Sequence, residues 1–167
     1  MNDSSRSFNG EFFHQLDDKC RVKLPTRLLN TLLDNFGRHC RMVQMPEKCL
    51  AIYPQQTWER GWSDYISKLG PQVPGTADAR AITRIAGATS LEIGIAAQGR
   101  VTIADNFRRH IGVSEGDRVA VIGAEDRIEI WEAESWQRYL ADQMGRYVEI
   151  ADRTLGQING RGRPGEE

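Results

Sequence analysis

The 167-residue sequence is poor in the groups from which enzyme centres and membrane segments are made. Its three cysteines, Cys20, Cys40 and Cys49, are odd in number and match no C-x-x-C or Cys/His ligand spacing. Reduced thiols are therefore expected, rather than disulfides or a zinc site. The three histidines, His14, His39 and His110, have no G-x-S-x-G neighbour, and no paired-carboxylate motif stands out. Those absences exclude the usual nucleophilic and acid–base centres and predict a chain with no enzymatic activity, no cofactor, no metal and no small-molecule substrate. Gly87, Gly94 and Gly99 are spaced wrongly for a phosphate-binding loop, and a strand rather than a helix follows them. No apolar run approaches the roughly 18 residues of a membrane span. The start, "MNDSSRSFNGEFF", lacks a basic segment followed by an apolar one, so no secretory signal is read and a cytoplasmic location with no membrane partner is expected.

Lysine is missing from the whole second half. All four lysines lie at or before Lys68, and the formal net charge of −1 conceals an uneven distribution. Residues 1–70 hold ten Lys/Arg against eight Asp/Glu, and residues 71–160 hold ten against thirteen. Any attraction to phosphate is thus expected on one face of an otherwise neutral particle.

What the sequence does have is a repeat. "DDKCRVKLPTRLL" and "AAQGRVTIADNFR" align without gaps, so that Arg21 meets Arg100, Val22 meets Val101 and Leu24 meets Ile103, each 79 positions on. "CLAIYPQQTW" and "RIEIWEAESW" align at a separation of 78, with Trp58 opposite Trp136. Each copy predicts the same elements. Arg21 and Lys23 alternate with Val22 and Leu24, as Arg100 and Thr102 do with Val101 and Ile103, giving half-buried strands with their cations outward. Thr26 and Asp105 are candidate N-caps of short helices that stop at Gly37 and Gly112. A strand pair follows in each copy, then an amphipathic aromatic helix. Between the copies, "GPQVPG" at residues 70–75 reads as a linker and residues 76–87 as a helix. "GQINGRGRPGEE" at the end is polar and without periodicity, which predicts disorder.

"FNGEFFHQLDDKCRVKLPTRL" with "CLAIYP" and Trp58, then "QGRVTIADNFRRHIGV" with "IEIWEAESW", resembles the MraZ family, two-copy relatives of AbrB-type transcription factors. The family signature is a D-x-x-x-R element in each copy, usually with glycine before the arginine. The first copy has Asp17 and Arg21 with Cys20 in the glycine position; the second keeps Gly99 and Arg100 but has Ala96 in place of the aspartate. The resemblance implies an α+β, mainly β fold of two tandem swapped-hairpin AbrB-like β-barrel subdomains with short helices, assembled in a homo-oligomeric ring. The subdomains would span residues 8–70 and 76–150, with a flexible tail over 151–167. It further implies a nucleoid-associated regulator that binds tandem repeats in the promoter of the division and cell-wall gene cluster, usually as a repressor, through the D-x-x-x-R arginine.

Those residue types suit the task. The planar fork of arginine meets two phosphate oxygens or the O6/N7 edge of guanine, and an acid four residues earlier can hold that fork in one orientation. Arg21 is the foremost candidate contact, with Asp17 as the orienting acid. Lys19, Lys23 and Arg27 are candidate phosphate contacts that set position, and Arg100 inherits from the resemblance the DNA-contact role of the motif arginine without its orienting acid. On the residues alone, Asp17 and Arg21 read better as an exposed ion pair of little energetic consequence, and it is the resemblance that favours DNA contact. Arg108, Arg109 and His110 read as a solvated helix face, and the tryptophans as packing rather than base-stacking platforms. The missing acid in the second copy predicts that this half mainly builds the assembly, and that Ala96→Asp changes DNA affinity little. A protein-interaction module of the same superfold, antitoxin-like or scaffolding, is the rival reading.

Overall fold

The computed structural model describes residues 6–69 and 76–160. The described residues up to Ala133 form one compact unit, and those from Glu134 onward form a second.

Each sequence copy supplies the same order of elements. The first runs β1 (Phe8–Gln15), β2 (Arg21–Lys23), α1 (Thr26–Asn35), β3 (His39–Gln44), β4 (Leu50–Pro54) and α2 (Gln55–Leu69). After α3 (Ala77–Ala88), the second runs β5 (Ser90–Gly94), β6 (Arg100–Thr102), α4 (Asp105–Ile111), β7 (Arg118–Glu125), β8 (Ile128–Glu132) and α5 (Ala133–Gly145). A last helix, α6, spans Tyr147–Gly160.

The strands do not pair within their own copies alone. The six-stranded sheet runs β1-β7-β8-β4-β3-β5, so the first strand of each copy lies against the hairpin of the other. Exchanging the copies reverses this order onto itself, which is the mark of a pseudo-twofold axis. Ala51 faces its repeat equivalent Glu129 across β4 and β8, and Val22 faces its equivalent Val101 across the separate β2–β6 ribbon. The axis runs through both pairs. Val22, Val101, Leu24, Ile103, Ile52 and Ile128 are buried around it, and each such side chain contributes about 1.5–3 kcal/mol relative to exposure.

Several expectations are modified here. The sheet is open, with β1 and β5 at its edges, rather than closed into two barrels. The stretches 8–70 and 76–150 are repeats of sequence, but their strands share one sheet, because each lacks partners for its own first two strands. Thr26 and Asp105 are the first residues of their helices, not the caps. Pro25 and Ala104 hold the cap positions with no side-chain cap bond, and Asp105 instead pairs with Arg108 and Arg109. The glycine stops stand: Gly37 has φ 83° and donates to Leu32, and Gly112 caps α4 with φ 72°. The tail expected from residue 151 is helical as far as Gly160. Glu149 sits in the first turn of α6 and pairs with Arg146 at 3.6 Å and Arg153 at 3.9 Å, supporting a turn-to-turn ladder that composition alone understates. Linker residues 70–75 and the tail arginines Arg161 and Arg163 lie outside the described residues.

Candidate nucleic-acid interface

The β2–β6 ribbon carries both copies' signature arginines. Its register pairs Arg21 with Thr102, Val22 with Val101 and Lys23 with Arg100. Side chains alternate across a strand, so both valines turn inward while Arg21, Lys23, Arg100 and Thr102 share the outer face. Lys23 stands directly opposite Arg100, a like-charge cross-strand pair that works against folding unless an anion neutralises it. The ribbon therefore brings the motif arginines of both copies to a single surface.

Two loops flank the ribbon and are built alike. In the first, Asp17 N–H donates to Arg21 C=O at 3.0 Å and Cys20 N–H to Asp17 C=O at 3.0 Å. In the second, Ala96 N–H donates to Arg100 C=O at 3.2 Å and Gly99 N–H to Ala96 C=O at 2.8 Å. The loops then clasp each other's strands, Leu24 N–H donating to Gly99 C=O and Ile103 N–H to Cys20 C=O. Both turns need a left-handed residue before the arginine, supplied by Gly99 at φ 80° and, unusually, by Cys20 at φ 54°.

The side chain of Asp17 fixes the first loop. Its Oδ1 accepts the N–H groups of Lys19 and Arg21, both at 2.9 Å, and its Oδ2 accepts Arg21 Nε at 2.8 Å. The Arg21 amide, then the Arg21 guanidinium and the Lys19 amide, hold the Asp17 carboxyl below its ordinary value, outweighing what desolvation it feels. The brace leaves Arg21 partly open to solvent, its side chain 29% exposed and that of Asp17 34%. With Nε occupied, the two Nη groups carry no hydrogen bond among the described residues and form the free end of the fork.

Lys19 and Lys23 are exposed on either side of Arg21, and Arg27 is exposed on the first turn of α1. Arg100 is exposed with no acid beside it. Sequence reasoning missed Arg38, whose Nη1 donates to the carbonyls of Ala96 at 2.9 Å and Ile95 at 3.4 Å, bringing another cation to the second loop. Its only signal was a cation directly after the Gly37 stop. Of the three residues read as a solvated helix face, only Arg109 is exposed, pairing with Asp105 at 3.1 Å; Arg108 is half-buried between Asp105 and the Ile103 carbonyl, and half-buried His110 has Nε2 2.8 Å from the Met45 carbonyl oxygen.

Away from the ribbon, Tyr53, Trp58, Trp62 and Tyr65 form a row of ring contacts with centroid spacings of 5.7 to 5.9 Å, stacked between Trp58 and Trp62 and tilted at either end, running out to exposed Tyr65. Cys40 and Cys49 are buried free thiols and Cys20 is a half-buried one. Among the described residues no group of three His, Cys, Asp or Glu could hold a metal ion, and no helix is long and apolar enough to cross a membrane.

The family model of the MraZ protein, antitoxin-like by its description, matches the chain twice, over residues 7–85 and 84–157. The chain is 34% identical over 146 residues to the transcriptional regulator MraZ of Leuconostoc mesenteroides, covering 87% of this chain and 94% of that protein. It is 36% identical over 149 residues to the protein of that name from Alkaliphilus metalliredigens, with coverage of 87% and 95%. The likeness to the Moorella thermoacetica protein is 31% over 150 residues, with coverage of 89% and 96%.

Proposed function

Because the chain belongs to the MraZ family, we propose that it is a transcriptional regulator that binds double-stranded promoter DNA through the outer face of the β2–β6 ribbon. The observation that carries this reading is the brace on Arg21. An acid holds one edge of the guanidinium and leaves the other free, on a two-stranded platform that also gathers Lys23 and Arg100. A held fork suits a bidentate contact to guanine, because less orientational freedom is lost on binding, and the surrounding cations suit phosphate. Lys19 and Arg27 extend the cationic rim.

One ribbon neutralises few phosphates, and affinity follows the number neutralised together. The reading therefore includes self-association into a ring that meets tandem operator repeats with several ribbons at once, which raises avidity without new contacts. Exposed Tyr65 and Ile85 in the first unit, and Met144, Tyr147 and Val148 in the second, are the apolar surface such association would cover. Repression of the division and cell-wall gene cluster, and residence on the nucleoid, complete the proposal.

The test is a gel-shift titration of the chain and of Arg21→Ala on tandem-repeat DNA from its own upstream region, at two salt concentrations. The variant is expected to lose at least about tenfold in affinity, in line with the roughly 1–3 kcal/mol attached to a bidentate contact. Unchanged affinity at both salts would remove Arg21 from the interface. Co-purification with a second protein, together with indifference to DNA, would favour the interaction-module reading.

A further inference from the structure

The two loops have the same backbone but not the same side chain at its centre. In the first, the Asp17 carboxylate lies among three donors: the N–H of Lys19, the N–H of Arg21 and Nε of Arg21, all within 2.9 Å. Their equivalents in the second are the N–H of Gln98, the N–H of Arg100 and Nε of Arg100. The flanking loop bonds and the left-handed residue are repeated, so the two backbone donors are placed in the same way, with the exposed Arg100 side chain beside them. Ala96, however, offers them no acceptor. An antiparallel ladder bonds alternate residues. Leu24 bonds Gly99 and Cys20 bonds Ile103 across the ribbon, which leaves the N–H of Arg100, like that of Arg21, pointing outward. Neither Gln98 nor Arg100 donates a hydrogen bond among the described residues, and both are exposed. Arg38 adds a guanidinium anchored on the carbonyl of Ala96 itself.

We propose that the Ala96–Arg100 loop is an anion site for a phosphate group, in which a phosphate oxygen takes the place that the Asp17 carboxylate fills in the first loop. The donor set is already tested in this molecule, since in the first copy it holds a carboxylate oxygen pair. Resting on the DNA-binding reading above, the inference divides the labour between the copies. The braced Arg21 presents a rigid fork for bases, and the second loop, with Arg100 and Arg38 and no acid, clamps the backbone. Loss of the aspartate then becomes a change of role within one surface.

Two measurements test it on the full chain. Inorganic phosphate titrated into the 15N-labelled protein should shift the Gln98 and Arg100 amides saturably, with Lys19 and Arg21 unmoved. Ala96→Asp should abolish those shifts by supplying an internal carboxylate, and Ala96→Asn should weaken them while adding no charge. On DNA, in place of the small effect expected from the sequence alone, Ala96→Asp should lower affinity about tenfold and flatten the slope of log K against log salt by about 0.9, the contribution of one phosphate on duplex DNA. Ala96→Asn should lose affinity as well, which separates occupation of the donors from simple repulsion. Phosphate-insensitive amides, or DNA affinity and salt slope unchanged in Ala96→Asp while Arg21→Ala abolishes binding, would overturn this inference and leave the DNA reading standing. Wild-type protein that ignores DNA but shows the phosphate shifts would keep the anion site and sink the DNA reading.

Discussion

Asp17 shows how one side chain turns a flexible cation into a directed one. Its carboxyl is held below the ordinary value of 3.8, so the ionised brace contributes stability above that value and loses it as pH falls through the lowered one. The expected check is a carboxyl carbon NMR titration of Asp17 with its midpoint under 3.8, rising only part of the way in Arg21→Ala, where the backbone N–H groups of residues 19 and 21 still bond the carboxylate. The cysteines differ from one another for reasons of burial. Desolvation pushes the Cys40 thiol from 9.0 up to about 12 and raises Cys49 further. A raised thiol contributes full stability below about pH 9 and gives it up as pH climbs toward the folded value, so unfolding midpoints should decline in alkali. For the same reason a thiol reagent should modify Cys20 quickly in the native protein and reach Cys40 and Cys49 only after denaturation. Rapid modification of all three in the native state would contradict the burial.

At the scale of the element, the ribbon turns differ in what they can tolerate. Gly99 sits at φ 80°, and a Cβ there would come within 2.6 Å of Leu29 Cδ2, so Gly99→Ala meets both backbone strain and a clash. A loss of about 1–3 kcal/mol in denaturant unfolding is expected. Cys20 occupies the matching position at φ 54°. Cys20→Gly relieves a left-handed side chain and should leave stability unchanged or raise it by roughly 0.5–1 kcal/mol. A large loss in Cys20→Gly would mean that the thiol packs more usefully than its half-exposure indicates. Much of this element was readable in advance. The alternation from Arg21 to Leu24 set the inward valines and outward cations, and the four-residue spacing of Asp17 and Arg21 anticipated their contact. The register was not readable, because Lys23 lies 77 positions from Arg100 and no local preference links them. The helix starts were misplaced by one residue, since Pro25 and Ala104 carry no capping side chain to signal their position. The donors at Gln98 and Arg100 left only a faint trace in sequence: a loop motif kept intact around a missing acid.

Across the whole chain, duplication has become mutual dependence. A lone first half would retain only the β3–β4 hairpin, since β1 needs β7, β2 needs β6 and β4 needs β8. A lone second half would retain β7–β8 and lose the same three pairings in mirror image. A single hairpin is marginal in water. The approach between halves is also close: a Cβ at Gly123 would lie 2.5 Å from Asn9 Cα on the neighbouring strand, so even Gly123→Ala should prise β1 from β7. Expressed separately at low micromolar concentration, residues 1–70 and 71–167 are expected to show weak sheet signal by circular dichroism and no cooperative thermal transition as monomers. Mixed in equal amounts, they should regain both, because all the cross-copy pairings become available and the buried apolar layer around Val22 and Val101 closes. The ribbon exists only in that joint state, so DNA binding should return on mixing together with the sheet signal. A lone half that unfolds cooperatively as a monomer would show that the copies are independent domains, and the single cationic face formed by both signature arginines would then need another origin.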